Sequence, residues 1–169
     1  MSIPEVDPTT DGQGLIKGVI WRYGGSRIGQ WYLRRIAPRV DPILMRRTNG
    51  RISSVGTWPR FVLLTHVGAK SGIERTTPLI YFTDGERVIL IASNYGGTRH
   101  PAWYHNVKNN PDVILSCGGY EGRFRGEEVV GAEYDRLWAL ANRWNPIYRK
   151  YDESSGARQI PLLAFTPTE

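Results

Sequence analysis

Residues 77–93, TPLIYFTDGERVILIAS, carry the plainest β-hairpin signal in the chain. Two runs rich in β-branched and aromatic residues, 77–83 and 87–93, flank an Asp84-Gly85 pair. An Asp-Gly pair between two such runs is typical of a tight turn that joins antiparallel strands. The stretch therefore predicts two neighbouring strands of one sheet.

Four more short runs predict strands on either side of this hairpin. They are residues 61–65, 113–117, 120–129 and 160–165, and Gly118-Gly119 joins the middle two in a second hairpin. Six short strands with little between them favour a small barrel over a layered parallel sheet. We therefore predict a mainly β (α+β) fold built on a six-stranded barrel, with short flanking helices.

Two helices interrupt the strands. The first begins after Pro101, runs through residues 102–108 and stops before Pro111. The second covers residues 132–142, with apolar residues spaced three and four apart on one face. Asn145 and Pro146 then favour a further helical turn, which puts Tyr148 and Tyr151 on the same face.

The N-terminal third differs from the rest in charge. Residues 1–14 are polar and predict a flexible leader, and residues 15–45 predict two short amphipathic helices with Gly24, Gly25 and Pro38 as breaks. We divide the chain into an arm, residues 1–44, and a barrel domain, residues 45–169. The arm either covers the core with its arginines in water or lies on an anionic membrane surface.

Composition excludes several classes of protein. A chain of 169 residues fits a single domain, and its lone Cys117 excludes an internal disulfide. The net charge of +6 belongs entirely to residues 1–60, so the balanced remainder argues against a nucleic-acid binder. With neither a signal peptide nor a run of about 20 apolar residues, we expect a cytoplasmic protein, with membrane association through the arm still open.

Familiar catalytic motifs are missing from the sequence. The three histidines and one cysteine show no metal-ligand spacing, so no metal site is predicted. The chain also lacks the nucleophile elbow G-x-S-x-G and the phosphate-binding motifs G-x-x-x-x-G-K-[ST] and G-x-G-x-x-G. Zinc hydrolysis, a nucleophilic hydrolase site and a Rossmann or Walker site are therefore unsupported.

Two segments between the predicted strands carry the functional signal. In residues 68–78, GAKSGIERTTP, two glycines bracket Lys70 and Ser71, and Arg75 follows, so the loop is either an anion cradle or an ordinary basic hairpin loop. Residues 92–97, ASNYGG, end a strand in small residues that let a planar ligand approach the backbone. The following Trp103 helix could form the wall of such a site.

In their order and spacing these segments resemble the deazaflavin-dependent nitroreductase family, the split β-barrel enzymes that use coenzyme F420. The resemblance covers roughly residues 45–166 and rests on GAKSGIERTTPLIY, DGERVILIASNYGG, HPAWYHNVKNNPDV and PIYRKYDESSGARQIPLLAF. It implies an FMN-binding-like split β-barrel and the use of reduced F420 as the hydride donor. The implied reaction transfers a hydride to an electron-poor acceptor, a quinone or a nitro compound.

The resemblance also implies which residues hold the cofactor. In the family a Lys-Ser-Gly loop holds the phosphate of the cofactor. The deazaflavin ring lies along the strand ending in Ala-Ser-Asn and against the Trp-Tyr helix. The implied phosphate residues are Ala69, Lys70, Ser71, Arg75, Thr76, Thr77, Pro78 and Leu79. The implied ring residues are Leu90, Ile91, Ala92, Ser93, Asn94, Ala102, Trp103, Tyr104, His105 and Asn106.

Three residues are the candidates for catalysis. Tyr148 and Tyr151 resemble the family's substrate-pocket tyrosines, and Tyr148 also resembles a residue that reaches the cofactor. Ser93 and Tyr148 would donate hydrogen bonds to the oxygen that gains charge, and Tyr151 would supply an aromatic wall. The alternative is that these tyrosines only pack a C-terminal turn against the barrel.

The chain departs from the family pattern at two positions. Ala69 stands where a long polar residue is usual, and Tyr95 stands where a small residue often follows Ser-Asn. An FMN-dependent oxidoreductase on the same barrel and a non-catalytic carrier of F420 or a lipid-like ligand therefore remain alternatives. The sequence does not indicate an oligomeric state. The basic arm has two candidate partners, anionic lipid and the anionic tail of the cofactor.

Overall fold

Six antiparallel strands form a closed barrel in the computed structural model, which describes residues 2–11, 26–48, 52–54 and 60–168. The strands are β1 (Phe61–Val67), β2 (Glu74–Asp84), β3 (Arg87–Ile91), β4 (Asp112–Cys117), β5 (Tyr120–Glu128) and β6 (Leu162–Pro167). They pair in the order β1-β2-β3-β6-β5-β4, and β4 pairs back to β1. The predicted six-stranded barrel is confirmed.

Glycines at the turns explain both hairpins. Asp84 lies opposite Arg87, and Gly85 opens the turn between them with φ of 62°. Cys117 lies opposite Tyr120, and the intervening Gly118 and Gly119 have φ of 61° and 89°. Two consecutive positive φ angles are what a two-residue hairpin turn of type I′ requires, and glycine adopts them without a steric penalty.

Five α-helices surround the barrel in the part of the chain that the structure describes. They are α1 (Arg27–Arg35), α2 (Ala37–Arg47), α3 (Ala102–Asn109), α4 (Gly131–Trp144) and α5 (Ile147–Ser154). The Ser26 hydroxyl caps α1 by accepting a hydrogen bond from Gly29 N at 3.0 Å. Pro38 lies in the first turn of α2, where a missing N–H does no harm, so the helix contains the proline that we expected to break it. Residues 15–25 of the predicted arm lie outside the described residues.

The core fills the barrel and continues beneath the helices. Tyr81, Phe82 and Phe165 are fully buried at its centre, and Leu137 of α4 adds to it. Gly126 of β5 lets α3 approach the barrel wall closely. A Cβ atom there would lie 2.6 Å from the Phe165 ring and 2.9 Å from Val107 of α3.

The first residues of the chain pack against β2. Ile3 and Val6 are buried. Thr83 N donates to Val6 O at 2.9 Å, and Val6 N donates to the Thr83 hydroxyl oxygen at 3.0 Å. The Tyr81 hydroxyl donates to Pro4 O at 2.9 Å. Residues 3–6 of the predicted leader are thus held by the barrel, while the division of the chain at residue 44 stays a prediction. None of the described helices has the length and apolarity needed to cross a membrane.

Candidate functional site

The β1–β2 loop, residues 68–73, closes on itself through short hydrogen bonds. Gly68 N donates to Ile73 O at 2.9 Å, and Gly72 N donates to Gly68 O at 2.8 Å. A Cβ atom at Gly68 would lie 2.5 Å from the Ser71 hydroxyl oxygen, so a larger residue at this corner would displace that hydroxyl. The closed loop leaves Lys70 and Ser71 exposed at its tip.

A buried chain of polar groups fastens this loop to α3. Ala69 N donates to Asn106 Oδ1 at 2.9 Å, and Asn106 Nδ2 lies 3.2 Å from His66 Nδ1. His66 Nε2 in turn lies 3.1 Å from the Thr77 hydroxyl. Because His66 and Asn106 are 3% and 8% exposed, the hydrogen bond between them is shielded from water. This series of hydrogen bonds joins β1, β2, the loop and α3.

The segment after β3 adopts an unusual backbone. Asn94, Tyr95 and Gly96 have φ of 48°, 53° and 71°, three left-handed residues in a row. Non-glycine residues in this region are strained and cluster at functional sites. A Cβ atom at Gly96 would lie 2.9 Å from Tyr151 Cα, so the turn is in direct contact with α5. The Ser154 hydroxyl donates to Gly96 O at 3.1 Å and fixes that contact.

Arg158 holds the same segment from its other side. Its Nε donates to Gly97 O at 3.0 Å, Nη1 donates to Ala92 O at 3.2 Å, and Nη2 donates to Ser93 O at 2.8 Å. Nη1 also lies 3.1 Å from His100 Nδ1. Burial, and then the Arg158 charge, lower the pKa of His100, so its Nδ1 accepts this hydrogen bond at neutral pH. One guanidinium therefore fixes the strand end and the approach to α3.

Tyr148 and Tyr151 lie in an aromatic cluster against this turn. Ring centroids are 6.4 Å apart for Tyr95 and Tyr151, 6.2 Å for Tyr148 and Tyr151, and 6.3 Å for Trp138 and Tyr148. Both candidate tyrosines are only 5% exposed. Burial raises the pKa of Tyr148 well above its ordinary range, so the hydroxyl stays protonated. This burial agrees with the packing alternative, and a substrate role for them stays a prediction.

A cavity of about 300 Å³ lies beside Arg158. Its lining includes His100 and Tyr104 near the start of α3, Glu128 at the end of β5 and Arg158. Tyr104 donates to Glu128 Oε2 at 3.0 Å, and Lys108 pairs with the same oxygen at 2.7 Å. Tyr104 is the one predicted site residue in the lining of this cavity. The cavity therefore does not coincide with the predicted binding site of a planar ligand.

The β1–β2 loop and the end of β3, the two segments predicted to carry function, both lie close to α3, the predicted Trp103 helix. Asn106 connects the loop to α3, and Arg158 connects His100, just before α3, to the end of β3. The side chains of Leu90, Ile91, Ala92 and Trp103 point into the core and are at most 8% exposed, so their first partners are core residues. Other predicted site residues are exposed and therefore open to a ligand: Ala69, Lys70, Ser71, Arg75, Asn94, Ala102 and His105. Thr76, Thr77, Pro78, Leu79, Ser93 and Tyr104 are half-buried.

Sequence reasoning missed Arg158. It falls in the quoted C-terminal segment, yet an arginine in a short connection before a strand carries no pattern of its own. Its role follows from three backbone carbonyls converging on one point, which only the folded chain shows. His66 was likewise not among the predicted site residues.

The donors at the loop suit a phosphate group. Among the residues that the structure describes, neither Lys70 nor Arg75 is in an ion pair, and the N–H groups of Lys70 and Ser71 have no acceptor. Cations and backbone N–H groups without protein partners are the kinds of donor that bind anions in proteins. The N–H of Ala69 is not available to it, because Asn106 already accepts that hydrogen bond.

The chain is similar to known proteins of one family. The family model described as F420H(2)-dependent quinone reductase matches residues 37–167. An F420H(2)-dependent quinone reductase of Mycobacterium tuberculosis is 34% identical over 145 residues, which cover 82% of this chain and 97% of that protein.

Solved structures are similar to the chain as well. One described as an F420-H2 dependent reductase is 35% identical with a TM-score of 0.57, covering 62% of this chain and 92% of that chain. Another, described as a domain-swapped dimer, is 30% identical with a TM-score of 0.59, covering 80% of this chain and 98% of that chain.

Proposed function

The chain belongs to the F420H(2)-dependent quinone reductase family, and we propose that it passes a hydride from reduced coenzyme F420 to an electron-poor acceptor, a quinone or a nitro compound. The structural observation that carries the proposal is the loop at Lys70, which has anion donors without protein partners and is fastened to α3. A quinone is the acceptor class that family membership supports. Bound F420 supplies the hydride, and the protein orients it and stabilises charge on the acceptor.

The loop residues bind the phosphate of the cofactor in this proposal. Lys70 and Arg75 provide positive charge, and Ser71 provides a hydroxyl and a backbone N–H. Charge-assisted hydrogen bonds of this kind are stronger than neutral ones, so these few donors can anchor the ligand. Ala69, the departure from the family pattern, contributes no side-chain donor and keeps its N–H on Asn106.

The strand end Ala92–Asn94 and the start of α3 form the proposed seat of the deazaflavin ring. Arg158 keeps the carbonyl groups of Ala92 and Ser93 in fixed positions, which supports a preorganised surface. Ser93 and the protonated Tyr148 hydroxyl would donate to the acceptor oxygen that gains charge, and Tyr151 would form an aromatic wall. Because both tyrosines are buried, an acceptor reaches them only if the surrounding chain moves.

Binding and turnover experiments test this function. Titration of the full chain with F420 should show saturable binding, and anaerobic mixing with reduced F420 and menadione should oxidise the cofactor. Saturable binding of FMN in place of F420 would support the FMN-dependent alternative instead. Saturable F420 binding without turnover on any quinone or nitro acceptor would support the carrier alternative.

Helices α1 and α2 carry a surface that supports contact with an anionic membrane. Ile28 and Trp31 on α1 are 70% and 58% exposed, and Ile43 on α2 is 59% exposed. The exposed residues Arg35, Arg39 and Arg47 lie on the same two helices. Exposed apolar residues beside arginines are typical of helices that lie in the interface of an anionic bilayer. The proposal is that this surface brings the enzyme to lipophilic quinones.

Vesicle sedimentation tests the membrane contact. We expect the full chain to bind vesicles with phosphatidylglycerol and not neutral phosphatidylcholine vesicles, and a Trp31→Ser, Ile43→Ser variant to bind at least about tenfold more weakly, from the lost apolar burial. Val130→Ser is the matched control, because Val130 is 72% exposed outside this surface. Weaker F420 binding by the double variant, with vesicle binding unchanged, would favour contact of the arm with the anionic tail of the cofactor.

A further inference from the structure

The direction of each hydrogen bond in the series Ala69–Asn106–His66–Thr77 follows from the first bond, which Ala69 N donates. A backbone N–H can only donate, so the Asn106 oxygen faces Ala69 and the Asn106 amide nitrogen faces His66 Nδ1. An amide nitrogen also can only donate, so His66 Nδ1 carries no proton. The proton of neutral His66 is then on Nε2, which donates to the Thr77 hydroxyl at 3.1 Å.

The surroundings of His66 favour this neutral form. Arg75 lies directly opposite His66 in the β1–β2 pairing, Thr77 faces it from the same strand, and Asn106 faces it from α3. Of these three residues Arg75 is the charged one, and its positive charge disfavours a second positive charge on His66. Burial, and then the charge of Arg75, lower the pKa of His66 below the ordinary histidine value.

We propose that His66 is a positioning residue for the cofactor-binding loop: in its neutral form it holds Asn106, and through Asn106 it holds Ala69 and the loop, residues 68–73. Protonation at Nδ1 turns the contact with Asn106 into two donors facing each other. The amide then turns its oxygen toward the protonated ring, which removes the acceptor of Ala69 N and breaks the link between the loop and α3. The inference rests on the proposed function only where it concerns F420, since the link exists in the free protein.

The same geometry changes the role expected of Asn106. The resemblance implies a direct contact with the ring, yet both ends of this amide are engaged by the protein and the side chain is 8% exposed. Asn106 therefore acts on the ligand through the loop that it fastens. The nearby donors Lys70 and Ser71 keep their positions only while that link holds.

Nuclear magnetic resonance on the free protein tests the link without any cofactor. We expect the His66 ring nitrogens and the Ala69 amide to titrate with one common midpoint, below about 6.5, as pH falls from about 8 to about 4.5. In His66→Asn, the new oxygen can still accept from Asn106 but does not titrate, so the Ala69 amide should stay constant over this range. An Ala69 amide in the unmodified chain that ignores the His66 titration would overturn the inference.

Asn106→Asp gives a sharper test, because it reverses the polarity of the link. The introduced carboxylate accepts from Ala69 N and also requires a proton on His66 Nδ1, so the pKa of His66 should rise above its ordinary value. The loop should now stay held at low and at high pH, because neutral His66 can carry its proton on Nδ1 and accept from the Thr77 hydroxyl at Nε2. An unchanged or lower His66 pKa in this variant would contradict the proposed contact.

Cofactor binding then measures the consequence for the site. The ratio of F420 dissociation constants, unmodified chain over His66→Asn, should rise about tenfold from pH 8 to pH 5, the effect of one lost hydrogen bond of about 1.4 kcal/mol. Taking the ratio at each pH cancels the titration of the ligand itself. A constant ratio with saturable binding would overturn the positioning role. If neither protein binds F420 at pH 8, the proposed function fails, and the resonance experiment still decides the link.

Discussion

The two ends of the candidate site are built in opposite ways. At the loop end, Lys70 and Ser71 are exposed, and their donors face solvent on a closed, glycine-bounded loop. At the turn end, Gly96 and Tyr151 are buried, and Arg158 donates to three backbone carbonyl groups. The difference is that the proposed anion donors lie in solvent, whereas the turn end belongs to the core as much as to the candidate site. Changes at the turn should therefore alter stability first, and changes at the loop should alter binding alone.

Removing the guanidinium of Arg158 should have the largest effect. In Arg158→Met the carbonyl groups of Ala92, Ser93 and Gly97 lose their shared donor, and we expect a loss of about 4 kcal/mol in the free energy of unfolding. Urea denaturation measures it, with Arg149→Met on the exposed side of α5 as the control. A loss no larger than that of the control would mean that the two ends are alike in stability.

Gly96 and Gly156 form a matched pair that isolates contact with α5. Their φ angles are 71° and 72°, but a Cβ at Gly96 meets Tyr151 Cα at 2.9 Å whereas a Cβ at Gly156 meets nothing within 4 Å. Gly156→Ala should lower stability by about 1 kcal/mol, the penalty of the left-handed backbone alone. Gly96→Ala should lower it by about 3 kcal/mol, because the clash adds to that penalty. Equal losses in thermal or urea unfolding would show that the turn does not press on α5.

Lys70→Ala should leave the fold intact and weaken binding. We expect an F420 dissociation constant about tenfold higher, equal to about 1.4 kcal/mol, because one charged donor to the phosphate is lost. Stability should change by less than about 0.5 kcal/mol, as for other exposed positions. Lys150→Ala is the control, because it removes the same charge from the exposed side of α5. Equal binding by both variants would remove the loop from the cofactor site.

Much of the barrel follows from the local sequence. The pairs Asp84-Gly85 and Gly118-Gly119 fix both hairpins because their backbone angles are local properties, and the apolar spacing of α4 is equally local. The loop at Lys70 could be predicted for the same reason. Its link through Asn106 to His66 could not, because the partners are 37 and 40 residues apart and only the packing of α3 on β1 brings them together.

Arg158 and the first residues of the chain show the same limit. A long side chain can reach many partners, so Arg158 has no preferred spacing that a pattern could detect. Polar composition predicts a leader at residues 1–14, yet Ile3 and Val6 are buried, and Val6 is hydrogen-bonded to Thr83 of β2.

The attachment of residues 3–6 to β2 has a consequence for biosynthesis. Val6 and Thr83 are 77 positions apart, so the start of the chain leaves the ribosome long before its partner strand exists. Contacts of such long range form late, since the intervening segment must be ordered first. Residues 3–6 are therefore made before β2 yet are among the last to reach their final position, and until then the Tyr81 hydroxyl lacks its acceptor at Pro4 O.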